Sequence, residues 1–217
     1  MMTSLFSSFD PMTKINQMNW VTIISPMTLL PMSYWMKKSR MSMLMKMTEK
    51  LIINEMKNIT NKKEMMIMSM SIFTTILIIN LMGLFPYIFT PTSHICVSTS
   101  LALPIWMMMM IYGWMNFTNK MFTHLLPVGT PSLIMPMMIM IETMGNIIRP
   151  IALSVRLTAN MIAGHLLMTL LGEMNEIKMM TIILPIQIML MMFESAISMI
   201  QAYVFCTLMT LYSSEIP

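Results

Sequence analysis

The feature that most constrains this chain is a forty-residue apolar segment, 132–171, in which ionisable or amide side chains occupy only six positions. A straight α-helix of that length extends for about 60 Å, which is twice the thickness of the hydrocarbon core of a bilayer. Pro150 is the one helix breaker near its middle, and a proline inside a helix kinks the chain more often than it reverses it. The segment therefore predicts one long, steeply tilted membrane helix.

A similar apolar run, 177–212, follows a short polar turn at 172–176. Two overlong helices joined by so short a turn predict a hairpin at the end of the chain. Three further apolar runs, 20–36, 65–89 and 95–114, precede the hairpin and predict three more membrane crossings. No internal repeat accompanies these runs, so the pattern does not indicate an inverted-repeat transporter.

The composition also indicates a membrane protein. Hydrophobic residues make up 56% of the 217 residues and charged residues only 10%, whereas a soluble domain has about 25% charged residues. The sequence has no phosphate loop, nucleophile elbow or H-E-x-x-H zinc pair, so we expect no bound nucleotide, cofactor or metal. The predicted fold class is an all-α polytopic membrane protein of about five spans. It forms a single membrane domain over 1–217, with span one in 1–36, a basic surface helix at 37–64, spans two and three in 65–115, and the tilted hairpin at 132–171 and 177–212.

Eight of the thirteen lysines and arginines lie between residues 37 and 64. A basic segment could bind nucleic acid, but no aromatic-interleaved basic surface accompanies this one, and the positive-inside rule explains it more simply. From residue 41 to residue 63, apolar and charged positions alternate at helical spacing, which is typical of an amphipathic helix on a lipid surface. We therefore expect membrane lipid, and not nucleic acid, as the partner of this segment.

Arg156 places a permanent cation in the middle of the first long apolar run. A guanidinium does not lose its proton in a protein, and insertion scales put its cost at the bilayer centre at roughly 2.5–3.5 kcal/mol. The preceding acid on the same run, Glu142, is about 21 Å away along a helix. The charge must therefore be compensated by Glu194 from another segment or by a carboxylate on a different protein.

Polar residues form a stripe on the first long helix. Glu142, Arg149 and Arg156 are spaced by seven, so they share one face. Asn160 and several small residues lie on or beside that face, and small residues let another helix approach closely. His165 points to roughly the opposite face, and its titration near neutral pH suits it to proton relay.

The second long helix has a matching stripe, formed by Gln187, Glu194, Gln201 and Glu215 at multiples of seven, with Ser198 beside them. One polar residue in a span can serve as a packing hydrogen bond. Two stripes with ionisable residues on consecutive helices favour a proton or ion path.

Plainer interpretations stay open for several of these residues. Arg149 and Glu142 could anchor their helix near the membrane interface, and His165 could be a structural hydrogen-bonding residue. The remaining candidates are expected to have structural roles: packing for Gln187 and Ser198, solvated loops for His94 and His124, and buried apolar positions for Cys96 and Cys206.

Four stretches resemble a known family. They are SVRLTANMIAGHLL at 154–167, LPVGTPSLIMP at 126–136, FPYIFTPTSH at 85–94 and FESAISMIQAYVF at 193–205. Together they closely resemble the mitochondrial ATP synthase subunit a family, the proton-channel subunit of the rotary synthase, and the likeness covers nearly the whole chain. The amino-terminal LFSSFDP and the abundance of methionine resemble an arthropod version.

The resemblance implies an architecture and a set of site residues. It implies one amino-terminal span, a surface helix, two further spans, and two long tilted helices wrapped against a ring of small proteolipid subunits, the c-ring. The residue before Pro150 varies in the family, so the role of Arg149 stays open. The essential arginine of the family falls on Arg156, and the residues of the proton path fall on Asn160, His165, Glu194, Gln201, Glu142 and Glu215.

The implied function is proton translocation through two half-channels against the rotating c-ring, which couples proton-motive force to ATP synthesis. The chain would then be an essential subunit and not an enzyme by itself, with other membrane-sector and peripheral-stalk subunits as partners. It would lie in the mitochondrial inner membrane, with its amino terminus in the intermembrane space and its carboxyl terminus in the matrix. A secondary ion transporter or a free-standing ion channel should instead show repeats or a self-contained counter-ion for Arg156. A purely structural membrane anchor would not need two polar stripes.

Overall fold

The computed structural model describes residues 6, 9–12, 18–30, 37, 39–60, 63–85, 88–126, 129, 131–174 and 180–215. Within these ranges every regular element is helical. Four of the described helices, Lys63–Gly83, Ile95–Asn116, Met135–Glu173 and Met180–Glu215, are long and apolar enough to cross a membrane. The prediction of an all-α polytopic membrane protein is confirmed, and the number of five crossings stays a prediction. In chain order the α-helices are α1 (Ser25–Leu29), α2 (Arg40–Ile59), α3 (Lys63–Gly83), α4 (Ile95–Asn116), α5 (Thr118–His124), α6 (Met135–Glu173) and α7 (Met180–Glu215).

Helix α6 is one continuous helix of 39 residues that passes through Pro150, as the apolar run predicts. Helix α7 has 36 residues and likewise contains a proline, Pro185. A proline removes one backbone hydrogen bond, and in these helices the neighbouring bonds keep the helix intact on both sides. The predicted turn at 172–176 begins later than expected, because α6 continues through Gly172, and residues 175–179 lie outside the described ranges.

Two contacts define how α6 and α7 lie against each other. The guanidinium carbon of Arg149 lies 4.8 Å from the centre of the Tyr212 ring. The Nδ2 atom of Asn160 donates a hydrogen bond of 2.9 Å to Oε1 of Gln201. Residue numbers rise along α6 as they fall along α7, so the two helices run antiparallel over this length.

The core lies where α3, α4, α6 and α7 meet. Helix α6 contributes Leu153 and Leu157, which are almost fully buried, while the neighbouring Arg156 is exposed. One face of α6 therefore packs into the bundle and the opposite face is left outside it. The buried cluster consists of Ile76, Ala102, Met109, Leu153, Leu157, Ala202, Phe205 and Met209.

The described part of the predicted first span at 20–36 is not one continuous α-helix. Residues Met18–Ile24 form a 3-10 helix, and α1 begins only at Ser25. Pro26 occupies the first turn of α1, where its missing N–H would have no intrahelical partner in any case, so it starts this helix and does not kink it. Residues 31–36 lie outside the described ranges, so this crossing stays a prediction.

The basic segment contains the expected helix, α2, although it is shorter than the predicted range. Ser39 caps it, because the Ser39 hydroxyl oxygen accepts a hydrogen bond of 3.3 Å from the backbone N–H of Ser42. Met56 is fully buried against Met66 and Cys206, whereas Leu44 and other apolar side chains nearer its start are exposed. Helix α2 therefore packs onto the bundle by its carboxyl-terminal half.

Three local predictions are wrong. Helix α3 ends at Gly83 and not near Phe89, because the chain folds back and brings a methyl group of Thr90 to within 2.7 Å of where a Cβ at Gly83 would lie. The polar stretch 116–124, predicted as a loop that includes His124, contains the short helix α5, which aromatic contacts such as that between Trp114 and Phe122 hold against the end of α4. Cys96 is exposed and not buried, whereas Cys206 is buried as predicted.

Candidate functional site

A cavity of about 160 Å³ lies between α3, α6 and α7. Most of its wall is apolar, and a few polar side chains project into it from all three helices. Four of the seven predicted site residues share this cavity although they are far apart in sequence. Its polar lining consists of Asn80 from α3, Asn160 and His165 from α6, and Glu194, Ser198 and Gln201 from α7.

Several polar atoms in this cavity are buried without a hydrogen-bond partner among the described residues. They are both amide atoms of Asn80, Nε2 of His165 and Oε1 of Glu194. A buried polar atom left unpaired costs about 1–3 kcal/mol, so such groups normally face water or a ligand. At about 30 Å³ for each water molecule, the cavity has room for roughly five. The cavity is thus suited to a short chain of water that contacts an acid, an imidazole and an amide.

The position of the Glu194 carboxyl depends on Gly164. A Cβ atom at Gly164 would lie 2.9 Å from Oε1 and 3.0 Å from Cδ of Glu194. Real side chains do not pack that closely, so the glycine allows the carboxyl to lie directly against the α6 backbone. Because the next residue is His165, this contact brings an acid and an imidazole to neighbouring positions of one cavity.

A direct hydrogen bond joins α6 and α7 in the lining of the cavity. Asn160 is one turn beyond Arg156 on α6, and its amide donates to Gln201, which is almost fully buried on α7. The hydroxyl of Ser198 donates to the carbonyl of Ser195 in its own helix, so it adds little polarity to the cavity. This agrees with the packing role predicted for Ser198.

An aromatic cluster borders the cavity near His165. The Phe9 ring packs edge-on against the His165 ring, with 6.1 Å between ring centres. The carbonyl oxygen of Phe9 lies 3.1 Å from Nε2 of His94, whose ring also contacts Trp20 and Phe89 at 5.3 and 5.4 Å. His94 is therefore a packed, hydrogen-bonded residue, and the prediction that it is solvated is wrong.

Arg156 lies on the face of α6 that points away from the bundle. Its side chain is exposed, and so are Ala152, Ala159 and Ala163 on the same face. Within the described ranges no carboxylate lies within ion-pairing distance of Arg156. Glu194 is thus not its counter-ion in this structure, so the acid on another protein is the alternative left open by the sequence.

A second polar group lies toward the amino-terminal end of α6. Arg149 pairs with Glu142 at 3.9 Å, and both side chains are partly exposed. Arg149 also stacks on Tyr212, three residues before the last residue of α7, Glu215. The backbone of Glu215 is therefore at the same end of the bundle, and its side chain lies outside the described set.

Arg156 separates these two polar regions along α6. About 21 Å of helix lies between Glu142 and Arg156, and about 13 Å between Arg156 and His165. The whole stretch is close to the ~30 Å thickness of the hydrocarbon core. Both regions include residues of α6 and α7, and the cation lies between them on the outer face of α6.

Sequence reasoning missed two residues of this site. Asn80 is the one amide side chain in the predominantly apolar helix α3, which predicts a packing hydrogen bond as readily as a site. Gly164 gave a usable signal, since a glycine inside a helix often marks a close approach of another group. Neither pattern says which partner it meets, because that depends on how α3 and α7 pack against α6.

A family model described as ATP synthase A chain matches residues 17–214. The chain belongs to this family. Over the full length of both chains it is 48% identical to ATP synthase subunit a of Locusta migratoria, 48% identical to that of Drosophila melanogaster and 46% identical to that of Anopheles gambiae. The predicted resemblance to an arthropod subunit a is confirmed.

The ATP synthase subunit a family forms the proton channel in the membrane sector of ATP synthase. This chain is accordingly a multi-pass membrane subunit of that complex, and it functions together with other ATP synthase subunits.

Proposed function

We propose that this chain carries protons through two half-channels, separated by Arg156, to and from the carboxylates of a rotating c-ring in the mitochondrial inner membrane. The observation that carries the proposal is the pairing of an uncompensated, outward-facing Arg156 with a nearby cavity that contains unpaired buried polar atoms. The uncompensated Arg156 fits a carboxylate on a neighbouring protein as its counter-ion. The cavity fits a water-filled path that ends close to Arg156.

The exposed face around Arg156 is suited to close contact with another helix. Alanines at 152, 159 and 163 leave room for a helix backbone to approach, as at other membrane helix interfaces. A carboxylate on that helix would offset the cost of a guanidinium in hydrocarbon. Arg156 would in turn keep the passing carboxylate ionised and prevent protons from crossing directly between the half-channels.

The cavity of about 160 Å³ would form the entry half-channel. Protons from the intermembrane space would reach Glu194 and His165, whose unpaired buried atoms can exchange protons with ordered water. Asn80 lines the same cavity and would orient that water. The hydrogen-bonded Asn160–Gln201 pair would form the end of this path nearest Arg156.

The region around Glu142 and the end of α7 would form the exit half-channel. Glu142 and Glu215 belong to the ends of α6 and α7 that the Arg149–Tyr212 contact brings together. Arg149 would hold the Glu142 carboxylate in place through their 3.9 Å contact. This partner distinguishes Arg149 from Arg156, which has no such acid among the described residues.

The energy comes from charge movement across the membrane. A proton that neutralises a ring carboxylate allows that subunit to rotate into lipid, and after nearly one turn the carboxylate loses its proton to the exit half-channel. Each elementary charge that crosses 100 mV supplies about 2.3 kcal/mol, and rotation of the ring would pass this energy to ATP synthesis.

We further propose that the amino terminus lies in the intermembrane space and the carboxyl terminus in the matrix, with α2 on the matrix surface. The basic character of 37–64 supports the orientation, since lysine and arginine favour the inner side. The positions of the neighbouring segments support a crossing within 1–36. Residues Met18–Ile24 lie beside Met82 at one end of α3, whereas Met56 of α2 lies beside Met66 near the other end.

The test is replacement of Arg156. We expect Arg156→Ala to abolish proton-driven ATP synthesis while the complex still assembles, and Arg156→Lys to fail largely because lysine can lose its proton when desolvated and has no planar fork. The control is Arg40→Ala, which removes an exposed cation from the start of α2. Near-normal synthesis by the Arg156→Lys complex would refute the barrier role. Protease access to 37–64 from the intermembrane space would refute the orientation.

A further inference from the structure

A second concave surface, remote from the proton path, lies between α2 and α3. This groove has a volume of about 460 Å³ and is lined by Glu49, Ile53 and Lys57 of α2 and by residues of α3 from Lys63 to Thr74. None of its lining residues belongs to the cavity that contains His165 and Glu194. The proposed proton path therefore leaves this groove without a role.

Two ammonium groups lie at the end of the groove where α2 passes into α3. Lys57 and Lys63 are both exposed, and within the described ranges neither lies within ion-pairing distance of a carboxylate. The acid in the lining, Glu49, is eight residues before Lys57, or about 12 Å along α2. Among the residues that line the groove, this end thus carries an excess of positive charge, and the exposed Glu64 beside Lys63 is not one of them.

The α3 wall of the groove is mostly apolar, and its length matches the hydrocarbon depth of one leaflet. From Lys63 to Thr74 the helix extends for about 16 Å, and half of a ~30 Å hydrocarbon core is about 15 Å. Ile67 is 73% exposed on this wall. The hydroxyls of Ser71 and Thr74 donate to carbonyls of their own helix, at 2.7 and 2.9 Å, so they need no other hydrogen-bond partner.

We propose that this groove binds an anionic phospholipid, with the headgroup phosphate at Lys57 and Lys63 and an acyl chain along α3. A free phosphate would bind the two lysines but leave the apolar α3 wall uncovered. A phospholipid would bind the lysines through its phosphate and cover the wall with an acyl chain. Helix α3 is long and apolar enough to cross the membrane and begins at Lys63, which places these cations at headgroup level whichever side α2 faces.

The test uses the intact ATP synthase complex and a phosphatidylglycerol probe that carries a photoreactive group in its acyl chain. Cross-links are mapped by mass spectrometry. We expect labelling of α3 at residues 67–74, and a fall of roughly fivefold in apparent affinity for each lysine that is replaced by glutamine. The matched control is Lys46→Gln with Lys50→Gln, which removes two charges from α2 outside the groove and should leave the labelling unchanged.

Three further arms separate the possible occupants. A phosphatidylcholine probe should label α3 much more weakly, and inorganic phosphate should not compete with the anionic probe. Equal labelling by both lipids, or labelling that Lys57→Gln with Lys63→Gln does not reduce, would mean bulk lipid only and would overturn the proposal. Absence of label from α3 in the intact complex would mean that another subunit fills the groove, and it would overturn the proposal equally.

Discussion

Replacement of Gly164 by alanine tests whether the position of the Glu194 carboxyl controls proton entry. The added Cβ would lie 2.9 Å from Oε1, 3.0 Å from Cδ and 3.2 Å from Cγ of Glu194. Ordinary contacts of a Cβ begin at 3.4 Å, so the carboxyl must withdraw by about half an ångström. It can do so by side-chain rotation, because only the end of a flexible side chain obstructs the new methyl group.

The fold itself should not suffer from this change. Alanine is favoured over glycine inside a helix by about 0.5–1 kcal/mol, so α6 gains helical stability that offsets the adjustment of Glu194. The rate of proton-driven synthesis, by contrast, should fall. Misplacement of a reacting group by about 1 Å can cost roughly a hundredfold in rate, so we expect about a tenfold fall for half that displacement.

The assay is ATP synthesis by the reconstituted complex under an imposed proton gradient, with thermal stability measured in parallel. Gly172→Ala is the matched control, because it makes the same change near the end of the same helix, where an added Cβ has no neighbour within 4 Å. We expect normal synthesis from Gly172→Ala and a slow but stable Gly164→Ala complex. Equal rates in the two variants would refute the reasoning.

Three further predictions follow from individual contacts. Asn80→Leu removes the amide that would orient water in the cavity, so it should slow proton-driven synthesis; unchanged synthesis would remove Asn80 from the path. Asn160→Leu and Gln201→Leu should be non-additive in synthesis rate, since either change breaks the same 2.9 Å hydrogen bond; strictly additive losses would mean that the pair does not act as a unit. Tyr203→Phe removes an exposed hydrogen bond of 2.9 Å to Glu55 and should lower stability by less than about 1 kcal/mol, measured by thermal unfolding, with no change in synthesis; a large loss of synthesis would give this α2–α7 contact a functional role.

Much of the helical architecture follows from the sequence because membrane helices depend on length and apolarity more than on exact side chains. The run 132–171 predicts α6 to within a few residues, and Ile95 is predicted correctly as the start of α4. The wrong predictions concern helix boundaries that depend on tertiary contacts. The chain after Gly83 folds back so that Thr90 reaches α3, and aromatic contacts turn the polar stretch after Asn116 into a short helix.

The candidate site was only half accessible from the sequence. Spacing by seven places Glu142 and Arg149 on one face, and the structure pairs them. Spacing within one helix cannot show that Asn80 and Glu194 line the same cavity, or that Gly164 determines where the Glu194 carboxyl lies. Those relations are set by packing between helices that are distant in sequence, which no periodicity encodes.

Cysteine accessibility tests most directly the claim that Arg156 separates two half-channels open to opposite sides. Glu194→Cys and Glu142→Cys are made singly in a complex whose subunit a carries Cys96→Ser and Cys206→Ala, because Cys96 is exposed and would itself react. Labelling of each introduced cysteine by a membrane-impermeant thiol reagent, applied from one side of the membrane at a time, is then measured. We expect position 194 to react only from the intermembrane space and position 142 only from the matrix. Reaction of position 194 only from the matrix, of position 142 only from the intermembrane space, or of either position from both sides would contradict that claim.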